Sequence, residues 1–388
     1  MKKKHTLAAL FLAICIMVVP CTPIIAADAP ALTVDAKAAC IMEAETGSIL
    51  FENKSHDRLA PASVTKIMTI LLIYDAIEQG KLNMDDIVTV SEHAATMGGS
   101  QVFLEPMEKQ SVRDLTKSIV IASANDAAVA MAEFIGGSEE SFVDMMNKKA
   151  LELGMADTSF QNACGLDADG HFTSAHDIAL MSRELWVKHP AAFEYTTTWM
   201  DTIKHSTARG TSEFGLTNTN KLVRWYDGAT GLKTGSTGKA GYCLSGTAER
   251  DGLKLIAVVL GAPAPTVRFQ EVMKMLDYGF AHFELVSGDE AGTIVGDVSI
   301  AKSKRTSVPV MVADKVSVVA AKGNEAITST LSIREDVSAP VAIGDVVGEI
   351  VYTYNNTELG RSALVAAEEA TRATVGDAFK RILEITAQ

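Results

Sequence analysis

The chain is poor in the patterns that several common chemistries need. Only five of its 388 residues are cysteines, and Cys15 and Cys21 fall within the first 27. Cys40, Cys164 and Cys243 are left over, so at least one has no partner within the chain. There is no C-x-x-C pair and no H-E-x-x-H run, which argues against a structural or catalytic zinc site. The eight histidines are scattered, and none adjoins a candidate nucleophile in sequence. Basic charge is also scarce. The formal net charge is −13 and no stretch forms a basic patch, so a nucleic-acid binder, which must meet phosphates with lysine and arginine, is excluded. Nothing in the residues calls for a cofactor. The apolar run Leu7–Val19 is too short to cross a bilayer comfortably.

That run nevertheless has a place. Lys2, Lys3 and Lys4 precede it, and the small residues Ala26 and Ala27 follow Pro23. This is the order of a secretory signal peptide spanning residues 1–27, with an uncleaved membrane anchor as the weaker alternative. The rest of the chain is therefore expected outside the cytoplasm, and loss of the three lysines leaves it still more acidic. Apolar residues make up 47% and charged residues 21%, a composition that folds around cores. The length suits two domains.

Periodicity places the elements. Ala38–Ala44 and Ser48–Glu52 flank a Glu45-Thr46-Gly47 turn and read as a hairpin. Pro61 opens a helix to about Gln79, with Ile67, Ile70, Leu71, Tyr74 and Ile77 at helical spacing. The stretch from about 85 to 200 is mainly helical. Ser111 serves as an N-cap, and further helices are expected at Asp126–Ile135, Phe142–Leu153 and Ala175–Trp186. Strands return at Gly231–Ser236, Gly241–Ala248 and Leu253–Leu260, the last two joined by an Arg250-Asp251-Gly252 turn. Strands, then helices, then strands make an α+β fold in which early and late strands share one antiparallel sheet. Near residue 287 the composition shifts to Val, Thr and Ser, which predicts a separate all-β domain over 288–354. Residues 357–388 read as an amphipathic helix, with Val375, Ala378, Phe379, Ile382 and Leu383 on one face. It could lie on a membrane surface or dock on its own protein.

The chemistry is carried by three short motifs. Ser63-Val64-Thr65-Lys66 starts the first helix, where a spacing of three puts Ser63 and Lys66 on one face. A serine hydroxyl is a weak nucleophile and needs a base. A lysine serves if desolvation or nearby positive charge lowers its pKa. The triplet alone is weak, because Ser236 and Ser299 also begin S-x-x-K matches. Ser123-Ala124-Asn125 follows between two helices, offering a hydroxyl for proton relay and an amide for a substrate carbonyl. Lys233-Thr234-Gly235 lies on a predicted strand, offering a cation and a hydroxyl for a carboxylate, and a glycine that permits close approach of substrate backbone. Each alone has an ordinary reading as a cap or a strand end. Their order on helix, loop and strand is what points to a site.

S-x-x-K with K-T-G is the signature shared by penicillin-binding proteins and class A β-lactamases. The segments ACIMEAETGSILFEN, PASVTKIMT, SANDAA, MNKKALELGM, GLKTGSTGKAGYCLSGTAERDG and LIAVVLGA resemble low-molecular-weight penicillin-binding proteins of the serine-type D-alanyl-D-alanine carboxypeptidase (S11-like) group. The resemblance is strong over 33–285 and looser beyond. It implies a β-lactamase/transpeptidase-like catalytic domain at 33–285, in which an antiparallel sheet has helices on both faces and a helical subdomain. It also implies removal of the terminal D-alanine from peptidoglycan peptide stems, with β-lactam antibiotics as covalent inhibitors. Residue by residue, it makes Ser63 the nucleophile and Lys66 the general base. Ser123 and Asn125 line the cleft, and Lys233, Thr234 and Gly235 meet the terminal carboxylate. The backbone amides of Ser63 and Ser236 form the oxyanion hole, and Arg268 stands near the carboxylate. One departure is clear. Where the group sometimes carries an arginine before the K-T-G strand, this chain has Asn218-Thr219-Asn220-Lys221. Cys243 reads as a small core residue. A class A-like β-lactamase is disfavoured by Ala124 in the middle of the S-x-N triplet. A D,D-endopeptidase differs only in substrate, and a non-catalytic wall-binding or β-lactam-sensing protein would not be expected to keep all three motifs.

Overall fold

The computed structural model describes residues 31–207, 210–323, 327–354 and 357–377. The expected signal segment lies outside them. The catalytic half is built on β1 (Ala38–Glu43), β2 (Ile49–Asn53), β3 (Ala229–Thr237), β4 (Gly241–Arg250) and β5 (Leu253–Ala262). They form one sheet in the order β2-β1-β5-β4-β3, every neighbouring pair antiparallel. The early hairpin and the late strands thus meet as the sequence pattern predicts. Apart from Glu43 and Lys254 near their ends, β1 and β5 are apolar because both faces are covered. Cys40, Met42, Ile256 and Val258 point into one core, and Ile41, Leu255, Ala257 and Val259 into the other. Such central strands read as continuous apolar runs rather than alternating ones.

Six longer helices surround the sheet: α1 (Lys66–Glu78), α2 (Val112–Val120), α3 (Asn125–Gly136), α4 (Glu139–Glu152), α5 (Ala175–Lys188) and α6 (Pro265–His282). Phe269, Val272, Met275 and Leu276 of α6 close one core, while the other helices pack into the larger one on the opposite face. Serine caps fix where three helices begin. The side chains of Ser111, Ser138 and Ser174 accept from the backbone N–H of Asp114, Ser141 and Asp177. Each satisfies a donor that the first helical turn leaves free. A hairpin that the sequence pattern did not reveal pairs Met200–Thr207 with Gly210–Thr217.

The C-terminal part is all-β. Its five-stranded sheet runs Ile294–Ser299, Ser307–Val312, Thr357–Ala366, Val346–Tyr354, Thr328–Ile333. This corrects the helix expected from residue 357. Thr357–Ala366 is a strand, antiparallel to both neighbours. Ser362, Leu364 and Ala366 share its inward face, a period of two that the helical spacing of later residues had obscured. Only Val375–Asp377 is helical among the described residues of the tail, and residues 378–388 lie outside them. The β part rests on the catalytic half through Ser317, whose hydroxyl donates to Glu45 Oε1 at 3.0 Å, and through Val319, which enters the α6-side core. No helix among the described residues is long and apolar enough to cross a membrane.

Candidate active site

The turn carrying Ser63 differs in detail from the expected helix start. Ala62–Thr65 forms a single 3₁₀ turn, and α1 begins at Lys66. Ala62 is held at φ +51°, a left-handed backbone that a residue with a Cβ adopts only where its surroundings enforce it. Here the enforcing groups are two glycines. A Cβ on Gly165 would lie 1.9 Å from Ala62 O, and one on Gly235 would lie 2.9 Å from Pro61 O and from the N atoms of Ser63 and Val64. Gly235 of the K-T-G strand is therefore required by the turn that carries Ser63, a closer reason than substrate approach. Of Pro61–Ala76, all are buried except Ser63, which is partly exposed.

Lys66 is fully buried. Its Nζ donates to Ser63 Oγ at 2.9 Å, Asn125 Oδ1 at 2.6 Å and Cys164 O at 2.7 Å. The last two are acceptors only, so they hold two N–H bonds and turn the third amine position onto Ser63. Burial lowers the Lys66 pKa to about 8, against the opposing field of Asp126. The amine can therefore lose its proton near neutrality, leaving a lone pair aimed at the serine hydroxyl.

The S-x-N segment lies where α3 begins. Ser123 sits at φ +61°, and its hydroxyl makes no hydrogen bond among the described residues. Asn125 bridges two walls, accepting from Lys66 through Oδ1 and donating to Gly98 O through Nδ2 at 2.6 Å. Its amide thus positions Lys66 as much as any substrate carbonyl. Asp126, next in sequence, went unnoticed in the motif. Its buried carboxylate accepts from Val102 N, Leu104 N and Ala127 N.

On β3, Lys233 is 1% exposed, and among the described residues its Nζ reaches only Thr234 O, at 3.2 Å. Burial, then the nearby Lys66 and Arg268, push its pKa well down. Two buried lysines with no carboxylate bonded to either Nζ among the described residues create a site that favours an anion. Thr234 Oγ1 donates to Thr219 Oγ1 at 2.7 Å, so the Asn218-Thr219-Asn220-Lys221 segment enters the site through its threonine. β3 is an edge strand, and Ser236 lies exposed near its end. Arg268, on α6, donates through Nη1 to Gly235 O at 3.0 Å and Cys243 O at 3.4 Å. It braces the strand carrying K-T-G. Among the described residues, Cys40, Cys164 and Cys243 are all buried and free.

The remaining wall is the loop from Phe160 to Thr173. Asn162 Oδ1 accepts from the N–H of Cys164, Gly165 and Leu166, curling the chain so that Cys164 O faces Lys66. His171 ties this loop to the turn that carries Ser63. Its Nδ1 accepts from Gln161 N at 3.0 Å and its Nε2 lies 2.9 Å from Thr65 Oγ1. Burial holds its pKa down at about 4, and the Gln161 bond requires an unprotonated Nδ1. Below pH 6.5 the unfolded chain takes up a proton here that the folded chain refuses. Stability supplied by neutral His171 therefore falls as pH drops from about 6.5 to 4, by about 3 kcal/mol. In denaturant titrations, His171→Gln should flatten that part of the stability–pH curve; an unchanged slope would assign it to other groups.

One further cluster resembles a metal site, formed by Asp75, Glu78 and His189. Lys188 and Lys149 already lie 2.9 and 3.1 Å from the Asp75 carboxylate. Two ammonium groups beside the central ligand make it an ion-pair hub.

This geometry agrees with comparisons to known proteins. Residues 25–264 match the D-alanyl-D-alanine carboxypeptidase family and residues 283–372 match the C-terminal domain of penicillin-binding protein 5. The chain belongs to the D-alanyl-D-alanine carboxypeptidase family. It is 42% identical over 351 residues to D-alanyl-D-alanine carboxypeptidase DacF of Bacillus subtilis, covering 90% of this chain and 89% of that protein. The crystal structure of penicillin-binding protein 5 from Haemophilus influenzae superposes with a TM-score of 0.75 at 29% identity, over 88% of this chain and 99% of that one. Penicillin-binding protein D2 of Listeria monocytogenes, solved in its ampicillin-bound form, matches 65% of this chain and 99% of its own, with 34% identity and a TM-score of 0.55. The serine D,D-carboxypeptidase activity and the α+β catalytic fold go with this family, and the β-rich C-terminal domain matches a second family model, that of the penicillin-binding protein 5 C-terminal domain.

Proposed function

We propose that this carboxypeptidase removes the terminal D-alanine of peptidoglycan pentapeptide stems through an acyl-Ser63 intermediate, and that β-lactams trap the same serine. The observation that carries the reading is the Ser63 hydroxyl, on a residue only partly buried, bonded at 2.9 Å to buried Lys66. Neutral Lys66 takes the Ser63 proton as Oγ attacks the carbonyl carbon of the penultimate D-alanine. The oxyanion is met by the backbone N–H groups of Ser63 and Ser236. Ser123 passes the proton to the leaving amine, and the D-alanine departs. Water then attacks the ester carbonyl, Lys66 takes its proton and returns it to Ser63 Oγ as the acyl–Oγ bond breaks, and the shortened stem leaves. Lys233 and Thr234 receive the terminal carboxylate, the anion that the two buried lysines lack. The side of β3 that has no strand partner among the described residues lets the stem add as a further antiparallel strand. Arg268 acts as a positioning residue for that edge.

The catalytic domain is read as residues 33–285. The C-terminal domain begins near 288 and, with the Thr357–Ala366 strand, continues past 354. Placement outside the cytoplasm rests on the N-terminal pattern of Lys2–Lys4, Leu7–Val19 and Ala26-Ala27. Contact with a membrane through the tail rests on the sequence spacing of Ala378, Phe379, Ile382 and Leu383 alone.

The test is to incubate the purified protein with a labelled penicillin and map the adduct by mass spectrometry, alongside D-alanine release from a peptide ending in D-Ala-D-Ala. Label on Ser63 together with D-alanine release is expected. Label elsewhere, or none, overturns the assignment of Ser63, and label without release points to a sensor.

A further inference from the structure

We propose that Asp126 is a positioning residue for the reaction at Ser63: its buried carboxylate holds the cleft wall Gly98–Leu104 against Asn125 and sets a negative charge before the Lys66 amine. The inference deepens the proposed function and rests on it. Asp126 is fully buried, and its partners among the described residues are backbone N–H groups. Oδ1 accepts from Ala127 N at 2.9 Å, and Oδ2 accepts from Val102 N and Leu104 N, each at 3.1 Å. The Ala127 bond serves the start of α3, where a negative charge also suits the free N–H groups of the first turn. The other two bonds do nothing for that helix. They reach 24 and 22 positions back along the chain, to a separate segment.

Asn125 holds the same segment from one residue earlier. Its N donates to Ser100 O at 2.7 Å and its Nδ2 to Gly98 O at 2.6 Å. The bonds alternate along the wall: Gly98 and Ser100 accept from Asn125, and Val102 and Leu104 donate to Asp126. The fit is close. Gly99 lies at φ +84°, and a Cβ there would lie 2.8 Å from Asn125 Nδ2. The Asn125 amide is planar, with one end on Gly98 O and the other on Lys66 Nζ at 2.6 Å. A wall that shifts turns this plane and takes Oδ1 away from Lys66. The amine then loses one of the two acceptors that turn its third position onto Ser63 Oγ. Asp126 thus acts on Ser63 through wall, amide and amine and, being buried, touches no substrate itself.

The charge acts without intermediaries. Burial lowers the Lys66 pKa to about 8, and the Cys164 thiol and Asp126 oppose that shift. Burial raises the Cys164 thiol, which keeps it protonated where Lys66 titrates. His171 is neutral there, its pKa held down at about 4 by burial. Lys233, the cation on β3, is pushed well below its usual value by burial and then by Lys66 and Arg268. Glu139 accepts from Ala163 N in the Cys164 loop and pairs with His93 at 2.9 Å. The standing negative charge on the α3 side of Lys66 is therefore that of Asp126.

The experiment follows the rate constant for acylation by a labelled penicillin from about pH 6 to 9 in the wild type, Asp126→Asn and Asp126→Glu. Asparagine keeps the shape but has one acceptor oxygen where aspartate has two, so the wall loses a bond and Lys66 loses the facing charge. In Asp126→Asn the high-pH plateau should fall about tenfold or more, the worth of one hydrogen bond to a charged group. The midpoint should move below the wild-type value, because removing a negative charge favours the neutral amine. A carboxylate that only supports the fold would move the plateau and leave the midpoint in place. Asp126→Glu keeps the charge, so its midpoint should stay with the wild type while its longer side chain lowers the plateau. If thermal denaturation shows Asp126→Asn unfolded, the glutamate variant carries the test. A wild-type plateau in either variant, an unmoved midpoint in Asp126→Asn or a shifted one in Asp126→Glu overturns the proposal. Wild-type protein that takes no label at Ser63 removes the Ser63 reading and this inference with it, whereas label on the wild type with an unmoved midpoint in Asp126→Asn removes only the role of Asp126.

Discussion

Lys66→Ala should slow acylation of Ser63, by penicillin and by peptide alike, about 10²- to 10⁴-fold, the usual range for a general base. The loss has two parts. The first is the base itself: with Lys66 gone, no other side chain donates to or accepts from Ser63 Oγ among the described residues. The second is positional. Asn125 Oδ1 and Cys164 O lose the donor that they share at 2.6 and 2.7 Å, so two walls of the cleft lose their common tie. Lys66→Arg should not rescue, since a guanidinium keeps its proton. The pH profile supplies a readout that a merely structural role would not move. Because burial lowers the Lys66 pKa to about 8, the neutral amine grows as pH rises through that value. The rate constant for acylation should climb with pH and level off above about 8, and the limb should vanish in the alanine variant. The stability consequence follows the same sign. Between about 8 and 10.5 the unfolded chain binds a proton at Lys66 that the folded chain does not, so the cost of burying this lysine is relieved as pH rises across that window. A near-wild-type labelling rate in Lys66→Ala, or a flat wild-type profile from pH 6 to 9, would remove Lys66 as the base.

What the sequence made readable follows the distance over which each feature is encoded. The cap at Ser111 and the turn at Asp251-Gly252 are set by residues three or four apart, and the helices and β3–β5 stand close to where periodicity placed them. The three motifs were legible for the same reason, each being a local triplet or quartet. Residues that act across long separations were not. Asp126 anchors Val102 from 24 positions away, and His171 meets Thr65 across 106. Thr219 was noted only as a departure, although its hydroxyl meets Thr234. The hairpin Met200–Thr207 escaped because its alternation buries only Ile203 and His205, one of them polar. Thr357–Ala366 was misassigned because the helical spacing of the residues after it was extended backward over a strand.

The largest effect expected away from Ser63 and Lys66 comes from a glycine. Gly165→Ala should abolish penicillin labelling and destabilise the fold by about 3 kcal/mol or more, through strain at positive φ and a backbone clash that cannot relax. Gly165 sits at φ +89°, and its missing Cβ would lie 1.9 Å from Ala62 O and 2.9 Å from Ser63 N. Those atoms are backbone, so relief requires moving either the loop or the nucleophile's turn. Moving the loop withdraws Cys164 O from Lys66. Moving the turn displaces Ser63 from Lys66 and presses it on β3, where Gly235 is already in close contact. Both routes break the 2.9 Å serine–lysine bond. Gly154 supplies the control. It has φ +73°, but a Cβ there would meet nothing within 4 Å, so Gly154→Ala isolates the conformational cost, about 1 kcal/mol, and should leave labelling intact. Chemical denaturation paired with labelling of both variants reads the difference. If Gly165→Ala labels at a normal rate, or costs no more than Gly154→Ala, then the loop does not clamp the turn, and the strained Ala62 backbone must be enforced by some other contact.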